Sequence, residues 1–575
     1  MRFFLSTVSA LTLGVGFAVS LPAPSSQADS LAGAYLAGRN ASVQNDYATA
    51  AQYYGRALAG DPGNVGLMED ATLAYLALGN IRQALPLAQS IVDLGHRSQA
   101  ARMVIAAGLI DEGDYATLAD REVESDGISP WVDGLVKAWA LIGADDIDAG
   151  MAQFDAIAEQ AGMQGIVSYH KVLALGTLGR YAEAQALFDA GAPGAASRTR
   201  RGVLAQAEIL SQLGRNDDAL NIIRDSFAGT SDPELDALIA VLETGETLPF
   251  TLAPTTRAGL AEVFYTFSAL LRAEQANDYY TLLYARMARY LRPDHIDALL
   301  LTADLLESLG QHQLAIDEYR AIASDDPAYH VAELGRAAAL RRLDRGDQAI
   351  EVLAQLTRSH GDLAVVHSTL GDTLRAKGDD AGAIAAYTRA LDLTPDDDTR
   401  AWFLHFSRGI SESRLDDSIA AEADFRAALA INPDQPQVLN YLGYSLVEEQ
   451  RKLDEALDMI ERAVAASPDS GYIVDSLGWV YYRLGRYEEA VEQMERAVEL
   501  EAVDPVVNDH LGDVYWAVGR KREAQFQWKR ALSFLDFAET DTEAEPDRIR
   551  RKIEVGLDQV LSEEGAAPLK VANGD

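Results

Sequence analysis

The chain has 575 residues, with 88 Asp and Glu against 49 Lys and Arg, a formal net charge of −39 and no cysteine. Nucleic-acid binding needs clustered basic side chains to displace counterions, and no such cluster occurs, so that class is set aside. The lack of cysteine excludes disulfide staples and attachment of a lipid through an N-terminal cysteine.

Residues 1–28 differ in character from the rest of the chain. Arg2 precedes a 17-residue apolar run at 3–19, Pro22 and Pro24 come next, and Ser26 and Ala28 occupy the small-residue positions of a cleavage site. The pattern predicts a signal peptide cut after Ala28 and, with no cysteine, a periplasmic location with peripheral envelope association. The alternative is a retained membrane anchor, for which the apolar run is short.

From 29 to 228 a recurring helical pattern sets in. The stretch "DYATAAQYYGRALAGDP" supplies Tyr47, Ala50, Tyr54, Ala57 and Pro62, and weaker copies occur at "GTLGRYAEAQALF" and "SQLGRNDDALNII". Residues 229–256 break the period and hold three prolines, which predicts an irregular joint. A second array is expected over 257–537. There Pro293, Pro327 and Pro395 fall on a 34-residue grid with Gly361 at the missing position, and Pro433 comes 38 residues after Pro395, an insertion of about one helical turn.

The clearest copies are "LGWVYYRLGRYEEAVEQMERAVEL" and, 34 residues later, "LGDVYWAVGRKREAQFQWKRAL". Small residues such as Gly478 and Ala490 let two antiparallel helices approach closely, while Tyr481, Met494 and Ala497 fill the space beside them. Gly485 ends the first helix in the left-handed conformation that costs glycine least. One such hairpin cannot bury its apolar surface alone, so copies must stack. The period and these positions closely resemble tetratricopeptide (TPR) repeats. The resemblance implies an all-α chain: an α-solenoid of about twelve to fourteen stacked hairpins forming a right-handed superhelix.

Residues 547–564 carry Ile549, Ile553, Leu557, Val560 and Leu561 on one helical face, which predicts a capping helix that seals the last repeat, with a frayed tail at 565–575. No catalytic, cofactor-binding or metal-ligating constellation emerges. The nine histidines are scattered, no HExxH motif or phosphate-cradling glycine loop occurs, and "PDDDTR" at 395–400 reads as a helix-capping turn because it lacks the glycine and terminal glutamate of a calcium loop.

By resemblance to TPR proteins, certain first-helix positions line a concave groove that holds peptides. Aligning Gly443, Gly478 and Gly512 places Asn440, Tyr444, Asp475, Trp479, Tyr482, Asp509 and Trp516 there. Aromatic anchors dominate many protein interfaces, and an asparagine can both donate to and accept from a peptide backbone. The alternative is that these aromatics pack against the following repeat or the tail helix.

Residues 257–532 further resemble exported TPR proteins of Gram-negative bacteria, one branch of which is a lipoprotein adaptor that activates a carboxyl-terminal processing protease. This implies a non-enzymatic periplasmic adaptor with protein or peptide partners, such a protease and its substrates among them. A general envelope scaffold for outer-membrane assembly, cell-wall synthesis or polysaccharide export is the alternative. No cofactor and no nucleic-acid partner are expected.

Overall fold

The computed structural model describes residues 31–121, 127–191, 194, 198–228, 232–535, 544–566 and 569. The expected signal peptide and nearly all of the expected frayed tail lie outside them. The described residues form 31 α-helices and a 3-10 turn, with no strand among them. None of these helices is long and apolar enough to cross a membrane. The chain divides into two compact units, one ending at Leu343 and the other starting at Asp344.

In the first unit, paired helices run from Leu31–Val43 with Tyr47–Gly60 to Arg200–Gln212 with Asn216–Ser226. The joint expected at 229–256 is partly regular. It holds a helix, Pro233–Glu243, whose cap Asp232 accepts the backbone N–H groups of Glu234 and Leu235. The irregular segment after it is stapled to the array. The Leu248 N–H donates to Ser211 Oγ (2.8 Å), the Thr251 N–H to Glu208 Oε2 (2.8 Å), and Thr177 Oγ1 to the Ala253 carbonyl (2.6 Å). Glu208 is buried, and burial pushes its carboxyl up to about 7 despite the hydrogen bonds from Thr251 that favour the ionised form.

This anchoring sends the chain back onto the repeats that precede it. The helices Thr256–Ala273 and Asp278–Leu291 pack against Val65–Ala77, Gln99–Glu112, Pro130–Gly143 and Gln164–Thr177, each the first helix of a repeat. The approach is close: a Cβ on Gly259 would lie 2.4 Å from the Trp139 ring, which is fully buried. A second array starting at 257 and touching only sequence neighbours is therefore not what forms. Residues 256–291 bury their apolar faces on repeats up to two hundred positions upstream.

Polar groups fix that return. Glu262, fully buried, accepts from Tyr169 Oη (3.0 Å) and from Arg201 Nε and Nη2 (2.8 and 2.6 Å). His295 Nδ1 accepts the Ala298 N–H (3.2 Å), so its Nε2–H is the one that donates to Glu262 Oε2 (3.1 Å). Buried Arg286 reaches the Ala77 carbonyl through Nε (2.8 Å), and Gln99 donates to Tyr284 Oη (2.8 Å). These bonds satisfy groups whose burial would otherwise be costly.

The second unit is a run of hairpins. After Gly346–Ser359 come Ala364–Ala376 with Asp380–Leu393, Trp402–Arg414 with Ser418–Ile431, Pro436–Glu448 with Leu453–Ala466, Gly471–Leu484 with Tyr487–Leu500, and Pro505–Ala517 with Lys521–Phe534. The expected small-residue contact is present. A Cβ on Gly478 would lie 2.7 Å from Met494 Cγ, and Ala490, Met494 and Ala497 are fully buried. Gly485 caps its helix at φ +77, with the Arg486 N–H donating to the Tyr481 carbonyl (2.8 Å). The insertion before Trp402 is a 3-10 turn, Thr399–Ala401, capped by Asp398, whose carboxylate accepts the Arg400 N–H (2.8 Å).

The expected capping helix is two helices, Pro546–Val555 and Leu557–Glu563, separated by Gly556 at φ +86 and ψ 157. Ile549 and Leu557 are buried against the last repeat, with Ile553 and Leu561 packed beside them, and Val560 is buried as well. The break lets the second leg turn onto the repeat instead of running past it.

Candidate protein-binding groove

In the second unit, Asn440, Asp475 and Asp509 each stand three residues before the glycine at which their helix meets its partner, and Tyr444, Trp479 and Asp513 stand one residue after it. Their contacts run from first helix to first helix of adjacent repeats. Trp479 Nε1 donates to Glu448 Oε1 (2.7 Å), and Asp475 Oδ2 lies 2.9 Å from His510 Nδ1.

Trp479 is half-buried in an aromatic stack. Tyr482 lies on one neighbouring contact at a centroid distance of 4.8 Å and His510 on another at 4.1 Å, each 15° from parallel to the indole. Tyr482 is buried, and burial holds its phenol well above the usual range. Burial by itself would push the His510 imidazolium down. The charge and hydrogen bond of Asp475, with Asp509 and Asp513 further away, outweigh it and raise His510 to about 9. His510 therefore carries a proton at neutral pH and presents a cation to the Trp479 ring.

A histidine whose folded-state value is raised stabilises fully below its unfolded value, about 6.5. Its contribution is lost as pH rises through about 9. Thermal melts between neutral pH and pH 10 should therefore show a loss of stability that Asp475→Asn abolishes. An equal loss in parent and variant would remove the pair as its source.

The last repeat is covered by the tail. Lys552, fully buried, donates through Nζ to Asp509 Oδ1 (2.6 Å) and Asp513 Oδ1 (2.7 Å). Trp528 Nε1 also donates to Asp513 Oδ1 (2.8 Å). Trp516 lies beneath the break in the tail, where a Cβ on Gly556 would come within 2.5 Å of the indole, and its Nε1 donates to Asp558 Oδ2 (3.0 Å). Asp509 and Trp516 thus hold the cap. Their assignment to an open groove is corrected, because the tail needed partners at these positions to bury its own apolar face.

Upstream the face is open. Asn440 is half-buried with a buried Oδ1 that accepts no hydrogen bond, Tyr444 is half-buried one turn further along the same helix, and Tyr441 beside them is 46% exposed. Tyr441 packs edge-on against Phe406 of the preceding repeat at 5.3 Å between centroids. Among the described residues, no group of His, Asp and Glu side chains could hold a metal ion.

Models of the tetratricopeptide repeat match residues 44–108, 297–328, 334–398, 406–471 and 448–505. Over those residues the chain carries tetratricopeptide repeats. It is 28% identical over 173 residues to the TPR repeat-containing protein PA4667 of Pseudomonas aeruginosa, a match covering 30% of this chain and 28% of that one. It is 34% identical over 109 residues to Protein FlbA of Caulobacter vibrioides, covering 19% of this chain and 17% of that one. The chain thus spans under a third of the length of these curated relatives. Among solved structures it is similar to the Cut9–Hcn1 hetero-tetramer of APC/C, with 15% identity, 91% of this chain and 96% of that chain covered, and a TM-score of 0.38. It is also similar to YrrB, described as a TPR protein with an unusual peptide-binding site, with 19% identity, 32% and 94% coverage, and a TM-score of 0.27.

Within the TPR frame, sequence reasoning missed His510 and Glu448. His510 stands one residue after Asp509 in the motif, and that adjacency placed the histidine on the side of the helix facing the previous repeat. A titratable residue beside a groove position is the signal that was available.

Proposed function

We propose that this TPR protein is a non-enzymatic scaffold that binds an extended polypeptide along the first helices of the second unit, between residues 436 and 484. The observation that carries this reading is Asn440, whose side-chain oxygen is buried and accepts no hydrogen bond. A buried acceptor left unpaired is costly, and a peptide N–H is a donor that fits it. The half-buried Trp479 stack of the next repeat offers an aromatic surface, and half-buried Tyr444 stands one turn beyond Asn440 on the same helix. The net charge of −39 favours a basic or mixed partner.

We further propose that the scaffold works in the bacterial envelope, after export directed by residues 1–28, and that its partners include a carboxyl-terminal processing protease. The first part is supported by the signal-like leader and the absence of cysteine, the second by the resemblance of residues 257–532. Asn440→Ala should not lower the melting temperature, since it removes an unpaired buried acceptor, and should weaken envelope-protein capture about tenfold, as loss of one buried peptide hydrogen bond would. Capture unchanged by the substitution would overturn the groove. Captured partners identified by cross-linking should include a protease whose turnover rises with the scaffold present. Capture of assembly or synthase components instead would replace the protease reading with that of a general envelope scaffold.

A further inference from the structure

The geometry points to a binding site for a small polyanion, a molecule carrying phosphate groups or several carboxylates, in a cavity of about 390 Å³ inside the first unit. Four guanidinium groups line it, those of Arg82, Arg257, Arg286 and Arg289, against the carboxylates of Asp111 and Glu318. In a chain of net charge −39 the charged lining of this cavity is positive by two.

The arginines are held in place. Arg286 Nε donates to the Ala77 carbonyl (2.8 Å) and its Nη1 pairs with Glu318. Arg289 Nε also pairs with Glu318 (3.1 Å), and its Nη1 donates to the Pro293 carbonyl (2.8 Å). Arg257 Nη1 pairs with Asp111 (2.7 Å). Each carboxylate is shared by two arginines, so neutralisation is incomplete. Arg82, whose side chain is 86% exposed and whose Nε is 3.9 Å from Asp111, stands at the rim.

The backbone adds to this field. The helix Ile81–Asp93 starts at the cavity's edge, and Asn80 before it makes no side-chain capping bond. Free N–H groups at a helix start attract anions, and fixed guanidiniums suit phosphate and carboxylate oxygens. The volume is that of a small-ligand pocket, about 300–1,000 Å³. Such a ligand would bridge the repeats at 78–111 to the returning segment at 257–318.

Pyrophosphate and citrate serve as probes, each titrated calorimetrically into the full chain in phosphate-free buffer. At least one should bind, with Arg82→Ala and Arg289→Gln each weakening the affinity about tenfold or more, and Arg462→Ala, a surface change in the second unit, leaving it unchanged. Circular dichroism melts establish that the variants are folded, and Arg82, being exposed, carries the comparison if Arg289→Gln unfolds. Binding of pyrophosphate alone assigns a phosphate ligand, and binding of citrate alone a polycarboxylate. Binding of both with the same arginine dependence leaves the shared polyanion chemistry as the assignment. Neither probe binding at up to about 10 mM, or binding indifferent to Arg82→Ala, would overturn the site.

Discussion

Lys552→Ala should release the two tail helices from the last repeat. The ammonium is fully buried and shared by Asp509 and Asp513, so its removal leaves two carboxylates close together in a desolvated interior. Breaking a buried ion pair from one side costs about 3–5 kcal/mol, because the remaining charge stays desolvated and unpaired. Arg548, with Nη1 3.7 Å from Asp513, is too distant to take over both contacts. Hydrogen exchange read by mass spectrometry should show faster exchange across 505–563 and little change before 436. Lys552→Met combined with Asp509→Asn and Asp513→Asn should recover most of the loss, since it removes the charges together. If Lys552→Ala exchanged like the parent, the tail would not depend on this lysine.

Glu262→Gln should loosen the first unit in the same manner. Glu262 takes hydrogen bonds from Tyr169, Arg201 and His295, which come from three separate helices or their caps. Burial by itself would raise its carboxyl, but the Arg201 charge and the His295 hydrogen bond hold it far below the usual range. The substitution should cost about 3 kcal/mol, the low end for a broken buried pair. Asp297 still faces Arg201, with the carboxylate 2.5 Å from Nη1, and limits the damage. A carboxylate depressed on folding contributes stability above its unfolded value, about 4.3, and loses that contribution as pH falls below it. The parent should therefore lose more stability on acidification than the variant, and amides in 256–291 should exchange faster in the variant. Equal urea midpoints for the two proteins at neutral pH would show that Glu262 does not hold the first unit together.

How much of the fold was legible in the sequence depends on what repetition records. Gly478, Gly485, Ala490 and Ala497 recur because each makes a contact inside its own hairpin or with the next, and such contacts repeat with the period. The all-α array was therefore readable from spacing. The return of residues 256–291 was not, since a contact such as Arg286 with Ala77, 209 positions apart, happens once and leaves no periodic trace. Two signals were nevertheless present. Glu262 is a lone carboxylate in the apolar run "GLAEVFYTF", and Lys552 falls between Ile549 and Ile553 on the face predicted to be buried. A charge in such a place requires a partner, here Arg201 in one case and Asp509 with Asp513 in the other. The candidate groove was readable only as far as position along the first helix. Asn440 and Trp479 keep an open side, whereas the same register one repeat later lies under the tail, because only the last repeat has no successor.

The hairpin Thr256–Leu291 also bears on the order in which the first unit can form. Most solenoids grow by local steps, each repeat settling on the one already made. Here the upstream repeats keep apolar surface in water until Leu291 has joined them, and Asn45 meets the Leu309 carbonyl across 264 positions of sequence. Closing loops of that length raises the contact order and slows folding. On a chain made from its N-terminus, the repeats before the hairpin spend that interval exposed, the state in which a holding chaperone has most to bind.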